Sequence, residues 1–295
     1  METVSQKWDQ REDNEEMSDR KVLFFDIDGT LLDRDNGIPD STREALQQAR
    51  AKGHLCFLCT GRTVSMIPPQ VVDLGFDGVV GGAGTYVQCG EEVLLYRELT
   101  TEEVKRTLTW LTGEHFGFLY EGKDCVHVMP WEHYPNPKLY QDHIRHIGAP
   151  HEVIDVAHPE RIRTSKFSAT IQTELWDYCM RMEEDLRDTF HIVIHQAPAV
   201  QGSSRALTEG LVEFTPNGCD KGTGIRVVLE HLGLTLEDAY AFGDSNNDLE
   251  MLRLVPHSIC MGNGTAEAMA AAEYVTTDIN QDGIRNAMLH YGLIG

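Results

Sequence analysis

Val22-Leu23-Phe24-Phe25-Asp26-Ile27-Asp28-Gly29-Thr30 is the stretch whose reading decides the fold. Four apolar residues in a row, two of them aromatic, read as a strand buried on both faces, which is the pattern of a parallel sheet. The run stops on two carboxylates one residue apart. Open α/β sheets bind their ligands beyond the carboxyl ends of the strands, so both acids stand where such a sheet does chemistry. Packing requires neither, and like charges this close repel. A cation or a chemical task is the physical reason for keeping both.

Working outward, similar apolar runs at 55–59, 78–80, 239–243, 257–261 and 274–276 are expected strands. Helical stretches lie between several of them. Ser41 to Lys52 carries Ser41 as N-cap, Glu44 as its capping-box partner and Gly53 as the stop. Gly222 to Leu232 ends at Gly233, and Asn247 to Leu254 precedes Pro256. Strand alternating with helix predicts the α/β class, a doubly wound parallel sheet. The middle reads differently. Tyr86–Gln88 and Val93–Tyr96 flank a turn at Gly90, and from 99 to 207 the segments are polar and alternating. Strands are expected near 117–121, 125–129, 166–172 and 191–196, with helices over 101–112, 136–147 and 175–188. This predicts an α+β cap domain, 99–207, inserted into a core of 20–98 and 208–295. Residues 1–19 are acid-rich, with little that is apolar beyond Val4, Trp8 and Met17, and read as a disordered tail.

The 295 residues carry a net charge of −22, which argues against nucleic acid or an anionic membrane as partner. An anionic substrate would therefore need local positive charge or a metal. No apolar run approaches the roughly 18 residues of a membrane span, and the N-terminus lacks the pattern of a signal peptide. Seven scattered cysteines fit reduced thiols in a cytoplasm better than a disulfide framework. Cys56 and Cys59, three apart on an expected strand, point to opposite faces and read as small core residues rather than as a metal or redox pair.

Phosphoryl transfer needs a nucleophile, neutralisation of the phosphate oxygens and a proton for the leaving group. Asp26 could attack phosphorus, and Asp28 could protonate the leaving oxygen and later deprotonate water. Cys59-Thr60-Gly61-Arg62 offers the Thr60 hydroxyl and backbone N–H groups at Gly61 for a phosphate oxygen. Lys221, opening the 222–232 helix, is a compact positive charge suited to a phosphate. Phe242-Gly243-Asp244-Ser245-Asn246-Asn247-Asp248 follows a strand. A carboxylate there could complete an oxygen-only Mg²⁺ site with Asp26 and the backbone carbonyl of Asp28.

The ordered set Asp26/Asp28, Thr60, Lys221 and Asp244/Asp248 resembles the four motifs of the haloacid dehalogenase (HAD) superfamily of phosphohydrolases. The insertion between the second and third motifs resembles the Cof-type sugar-phosphate phosphatases. Met261-Gly262-Asn263-Gly264 and Asp282-Gly283-Ile284 are further matches, and the likeness covers about 20–295. It implies a Rossmann-like core and a Mg²⁺-dependent phosphatase for small phosphorylated metabolites, working through an aspartyl-phosphate. Asp26 would be the nucleophile and Asp28 the acid/base. Asp26, Asp28 (through its carbonyl) and Asp244 would hold Mg²⁺, and Asp248 would orient the groups around it. Thr60, Gly61, Lys221 and Asn247 would contact phosphate. One departure is Gly81-Gly82-Ala83-Gly84, with Gly81 where the family carries Asn, and it reads as a structural turn. A phosphosugar mutase of the same fold and a non-catalytic phosphometabolite-binding protein are the alternatives. Oligomeric state and the identity of the substrate are not legible.

Overall fold

Short apolar strands persist in water only when both edges are paired and both faces covered, and the chain meets that demand by alternating strand and helix. The computed structural model describes residues 20–295, apart from 36, 113–116, 132–133, 135–137, 139–140, 143, 146–147, 173–174 and 196–208. The expected tail at 1–19, much of the expected 136–147 helix and the residues at 207 therefore lie outside the described residues. Two compact units are formed. One holds the described residues up to Gly61, Pro69–Leu95 and Asp220–Gly295, and the other Arg62–Pro68 and Tyr96–Cys219.

The first unit begins with β1 (Val22–Phe25), α1 (Asp40–Ala51), β2 (Leu55–Cys59), the single turn α2 (Pro69–Val72), β3 (Gly78–Gly81), β4 (Tyr86–Cys89) and β5 (Glu92–Tyr96). The second contributes α3 (Thr101–Leu111), β6 (Gly117–Glu121), β7 (Val126–Val128), β8 (His151–Val153), β9 (Lys166–Gln172), α4 (Trp176–Leu186), β10 (Phe190–His195) and β11 (Glu209–Pro216). The chain then returns with α5 (Lys221–Leu232), β12 (Ala239–Gly243), α6 (Leu249–Leu254), β13 (His257–Cys260), α7 (Ala266–Ala271), β14 (Tyr274–Val275) and α8 (Gly283–His290).

The core sheet runs β14-β13-β12-β1-β2-β3-β4-β5, parallel from β14 to β3 and antiparallel between β3 and β4. Successive parallel strands step away from β1 in one direction, then from β12 in the other. The strand order therefore reverses between β1 and β12, and in such sheets that is where the ligand crevice lies. Phe25 and Phe242, in register on these two strands, stack at 4.6 Å. Alternate residues Val22, Phe24, Phe57 and Ala241 share one apolar cluster with Ile225 and Val228 of α5, while α1 packs against α8. The doubly wound α/β expectation holds.

One helix start departs from expectation. α1 begins at Asp40 after Pro39, with no side-chain cap, and the Ser41 hydroxyl is buried with no hydrogen-bond partner among the described residues. Pro39 fixes the backbone at the entry, so the helix starts before the serine can act as cap. α5 follows the rule the other way. Asp220 Oδ1 accepts from Thr223 N at 2.7 Å, and Gly233 closes the helix in the left-handed region, φ 67°.

In the second unit the sheet order is β10-β11-β9-β6-β7-β8, antiparallel except for the β7–β8 pair. Tyr120, Phe167 and Phe214 occupy successive strands on one face, with Phe167 and Phe214 stacked at 4.4 Å in the apolar core. β8 and β11 are strands the sequence reading did not mark. β8 is three exposed residues, His-Glu-Val, without an apolar run. β11 carries Gly210 and Glu213 within it and so breaks the apolar pattern.

Candidate active site

The parallel sheet makes the site by ending adjacent strands on functional groups. β1 continues one residue past its last strand position, where Asp26 N donates to Phe242 O at 2.9 Å. That ladder bond fixes Asp26 at the end of β1, 2% exposed. β12 ends in Gly243, and Asp244 follows. Lys221 is the first residue of α5, held in place by the Asp220 cap, and is 1% exposed.

These far-apart segments meet. Lys221 Nζ donates to Asp26 Oδ1 at 2.6 Å and also to Asp248 Oδ1. The other oxygen of Asp248 accepts from the backbone N–H groups of Asp244 and Ser245, each at 2.9 Å. Both oxygens of Asp248 are thus engaged, which leaves it to hold the loop and the lysine. Carboxylate oxygens of Asp26, Asp244 and Asp248 lie within 4.8 Å of one another. Asp28 is exposed, yet close enough for its charge to act on both Asp26 and Asp244.

Electrostatics here is one-sided. Burial, reinforced by the Asp248, Asp244 and Asp28 carboxylates, holds the Asp26 carboxyl well above the usual range, although Lys221 opposes the shift. Burial and Asp248 push Asp244 up to about 7. Lys221 stays protonated, because Asp248 and Asp26 outweigh the burial that disfavours its charge. One ammonium faces four carboxylates, and a further cation is the physical remedy.

Thr60 is buried at the end of β2, with its N–H on Val80 O at 2.8 Å and its carbonyl accepting from Ala83 N at 3.0 Å. The loop after it enters a single 3-10 turn at Val64–Met66 rather than an α-helix. A Cβ on Gly61 would lie 3.7 Å from Asn247 Nδ2, so these two phosphate-binding candidates are neighbours. Asn247 Oδ1 accepts from Ser245 Oγ at 2.8 Å. Gly82, Ala83 and Gly84 form a turn between β3 and β4, all with positive φ. Gly84 packs so closely that a Cβ would sit 2.1 Å from Asp220 O. The stretch that departs from the family's Asn-Gly-Ala therefore braces the start of α5.

The sequence marks Gly29-Thr30 as a sharp turn with a hydroxyl that holds the loop, but not the partners in three supporting contacts. Thr30 Oγ1 donates to Asp244 Oδ1 at 3.0 Å, tying the β1 loop to the β12 loop. Gly29, φ 91°, lies against the Asp244 carboxylate, where a Cβ would be 2.3 Å from Oδ2. Asn263 Nδ2 donates to Gly29 O at 2.8 Å, and its Oδ1 accepts from Ile279 N at 2.9 Å. The Met-Gly-Asn-Gly run was visible, but not the partner of its asparagine. Cys56 and Cys59 are buried, and burial lifts the Cys56 thiol to about 12, in keeping with core residues.

A switch point that carries paired carboxylates, a buried lysine and an acidic loop offers the groups that phosphoryl transfer uses. The chain belongs to the haloacid dehalogenase-like hydrolase family, whose model it matches over residues 23–288. It is 28% identical over 276 residues to YkrA of Bacillus subtilis, a protein provisionally named a phosphatase, covering 94% of this chain and 99% of that one. HMP-PP phosphatase of Escherichia fergusonii is 28% identical over 251 residues, covering 85% of this chain and 87% of its own. Among solved structures, the HAD subclass IIB sugar phosphatase BT4131 superposes with a TM-score of 0.77 at 29% identity, covering 93% of this chain and 100% of that chain. The enzyme class is that of a phosphoric monoester hydrolase. No helix among the described residues is long and apolar enough to cross a membrane.

Phosphatases of this family generally use a metal ion. The donor set fits one. Asp26 and Asp244 offer hard carboxylate oxygens, their proton affinity is raised by burial and, after it, by the neighbouring carboxylates, and the cluster with Asp248 contains oxygen donors alone.

Proposed function

We propose that the protein is a Mg²⁺-dependent phosphomonoesterase that hydrolyses small phosphorylated metabolites, sugar phosphates foremost, through an aspartyl-phosphate on Asp26. The observation that carries this reading is the buried contact of Lys221 with Asp26 at the end of β1, with Asp244 alongside at the end of β12. Asp26, the Asp28 carbonyl and Asp244 would hold Mg²⁺. When bound, the ion supplies positive charge against the phosphate oxygens and the clustered carboxylates.

The residues of the chain divide the remaining work. An Asp26 oxygen attacks phosphorus as the ester oxygen departs, and Asp28, exposed at the mouth of the loop, gives that oxygen its proton. Asp28 then takes a proton from water, which attacks the phospho-enzyme and releases inorganic phosphate and free Asp26. Lys221 keeps Asp26 oriented and shares the charge on the transferring group. Thr60, the Gly61 N–H and Asn247 take phosphate oxygens, and the Gly61–Asn247 proximity supports that assignment. Asp248 positions Lys221 and the Asp244 loop. The inserted unit, in this reading, is a cap that selects the alcohol part of the ester. The names of the sugar phosphatase BT4131 and of the HMP-PP phosphatase support a small phosphorylated substrate. Cytoplasmic location rests on the free thiols.

The test is hydrolysis of p-nitrophenyl phosphate and a panel of metabolite phosphates, with Mg²⁺ and with chelator. Wild-type turnover should require the metal and vanish in Asp26→Asn. Asp28→Asn should bind phosphate yet turn over about 10²- to 10⁴-fold more slowly. Wild-type turnover no greater than that of Asp26→Asn on every ester would end the enzyme reading.

A further inference from the structure

The sheet of the inserted unit ends on β8, a strand of three exposed residues paired parallel with β7. Apolar burial does not hold such a strand in place. The register sets Glu152 of β8 opposite His127 of β7. Side chains two apart on an extended chain share a face, so Cys125, two before His127, lies on the face that His127 and Glu152 share. Their donor atoms follow the backbone. A carboxylate oxygen of Glu152, a ring nitrogen of His127 and the Cys125 sulfur lie within 4.8 Å of one another. All three residues belong to one compact unit.

Exposure grades outward across the group. His127 is 3% exposed, Cys125 is half-buried and the Glu152 side chain is 69% exposed. Of the seven cysteines, Cys125 is the one that is not buried. An ion needs no cavity in such a place, because it reaches the ring from the solvent side.

Hydrogen bonding does not account for the arrangement. His127 Nδ1 stands 3.8 Å from Glu152 Oε2, beyond hydrogen-bond range. Burial lowers the proton affinity of the ring against the opposing pull of Arg163 and Glu152, so a charged His–Glu pair does not explain the meeting. Nε2 lies 3.2 Å from both the N–H and the carbonyl of Arg163. In the tautomer protonated at Nε2 the ring donates to that carbonyl, and the Nδ1 lone pair faces the glutamate. Metal-bound histidines are held in this way, one nitrogen on a backbone carbonyl and the other on the ion. Ligands about 2.0–2.3 Å from one Zn²⁺ stand about 3.3–3.7 Å apart in a tetrahedron. The Nδ1–Oε2 separation is close to that spacing. Sulfur, imidazole nitrogen and carboxylate oxygen together suit Zn²⁺ rather than Mg²⁺, unlike the all-oxygen cluster of the first unit.

We propose that Cys125, His127 and Glu152 form a Zn²⁺-binding site, with water in the fourth position, that fastens β8 to β7 at the edge of the sheet. Binding forms a sulfur–zinc bond in place of the thiol S–H bond, and the proton passes to solvent. The site stands apart from the phosphatase reading and does not rest on it.

The experiment titrates the full chain with Co²⁺, a spectroscopic stand-in for Zn²⁺, under a phosphine reductant and at saturating Mg²⁺. A thiolate on Co²⁺ gives an intense near-ultraviolet charge-transfer band, which carboxylates alone cannot give. Wild type should show that band, saturating at one ion per chain, and lose it when Zn²⁺ is added. Cys125→Ser should lack it. Glu152→Gln should weaken Zn²⁺ binding at least about tenfold. Zn²⁺ should raise the melting temperature of wild type by about a few degrees, and that of Cys125→Ser not at all. A wild type without the band, a band that survives in Cys125→Ser, or a Zn²⁺ affinity unchanged by Glu152→Gln overturns the proposal. Should Cys125→Ser fail to fold, Glu152→Gln, at an exposed position, decides by its affinity.

Discussion

At the scale of single residues, the site depends on atoms that leave no room for change. Gly29 has φ 91° and lies where any Cβ would meet the Asp244 carboxylate. Gly29→Ala therefore strains the backbone by about 1–3 kcal/mol and displaces Asp244. Activity should fall about 100-fold, since displacements near 1 Å carry that cost, while the melting temperature drops only a few degrees. Wild-type kcat/KM in this variant would show that Asp244 needs no fixed place. Asn263→Ala removes the anchor of Gly29 O and leaves Ile279 N without its acceptor. It should cost about 1–3 kcal/mol in thermal denaturation, and a loss below about 0.5 kcal/mol would contradict that anchoring role. The meeting of Asp26, Lys221, Asp244 and Asp248 joins segments that the sequence marked, because each lies where an apolar run ends or a helix opens; the roles of Asp28 and Thr60 stay proposals. Asn263 as a partner of Gly29 was not legible, since the two are 234 positions apart and nothing local pairs them.

At the scale of elements, helix starts position catalytic groups. Lys221 is the first residue of α5, and Asp220 satisfies the N–H of Thr223. Asp220→Ala should destabilise the protein by about 1 kcal/mol and loosen Lys221 against Asp26. Thr100→Ala is the matched control, because Thr100 caps α3 through a capping box with Glu103 and should cost a similar amount. Activity should fall severalfold more in Asp220→Ala than in Thr100→Ala at equal loss of melting temperature. Equal activity in the two would detach the cap from function. The elements themselves were mostly legible: β1, β2 and β12 are short continuous apolar runs, and β3 and β13 are expected from the apolar residues at their ends next to the site. β8 and β11 were hidden because strand pairing with neighbours, rather than their own composition, makes them strands. Ser41 was misread as a cap because a favourable residue three before a Glu is a local signal, and Pro39 overrode it.

At the scale of the whole molecule, the clustered carboxylates couple protons, metal and stability. Asp26 and Asp244 bind protons more tightly folded than at the ordinary carboxyl value of 3.8, Asp244 up to about 7. A raised acid contributes stability that is fully present below its unfolded value and is lost as pH climbs to its folded value. For Asp244 that window runs from 3.8 to about 7, so the metal-free protein gives up this contribution as it approaches neutrality. Mg²⁺ requires the ionised carboxylates and displaces those protons, so its affinity should rise about tenfold per pH unit for each proton displaced below 7 and level off above. Melting temperatures with and without a fixed Mg²⁺ concentration, from pH 5.5 to 8.5, should show a metal-induced increase that grows to about pH 7.5. An increase that is constant or shrinks with pH would separate the metal from these carboxylates.

By itself, the sequence determined that apolar strands end on acids, a threonine and a lysine-led helix, in an order that only an open parallel sheet satisfies. Those signals are local, because burial of a strand and capping of a helix are decided within a few residues. Tertiary structure alone decided which groups touch. The contact of Lys221 with Asp26 spans 195 positions, and Glu121 reaches Lys166 only through the pairing of β6 with β9. Such contacts depend on crossover topology and strand register, which no short window of residues encodes.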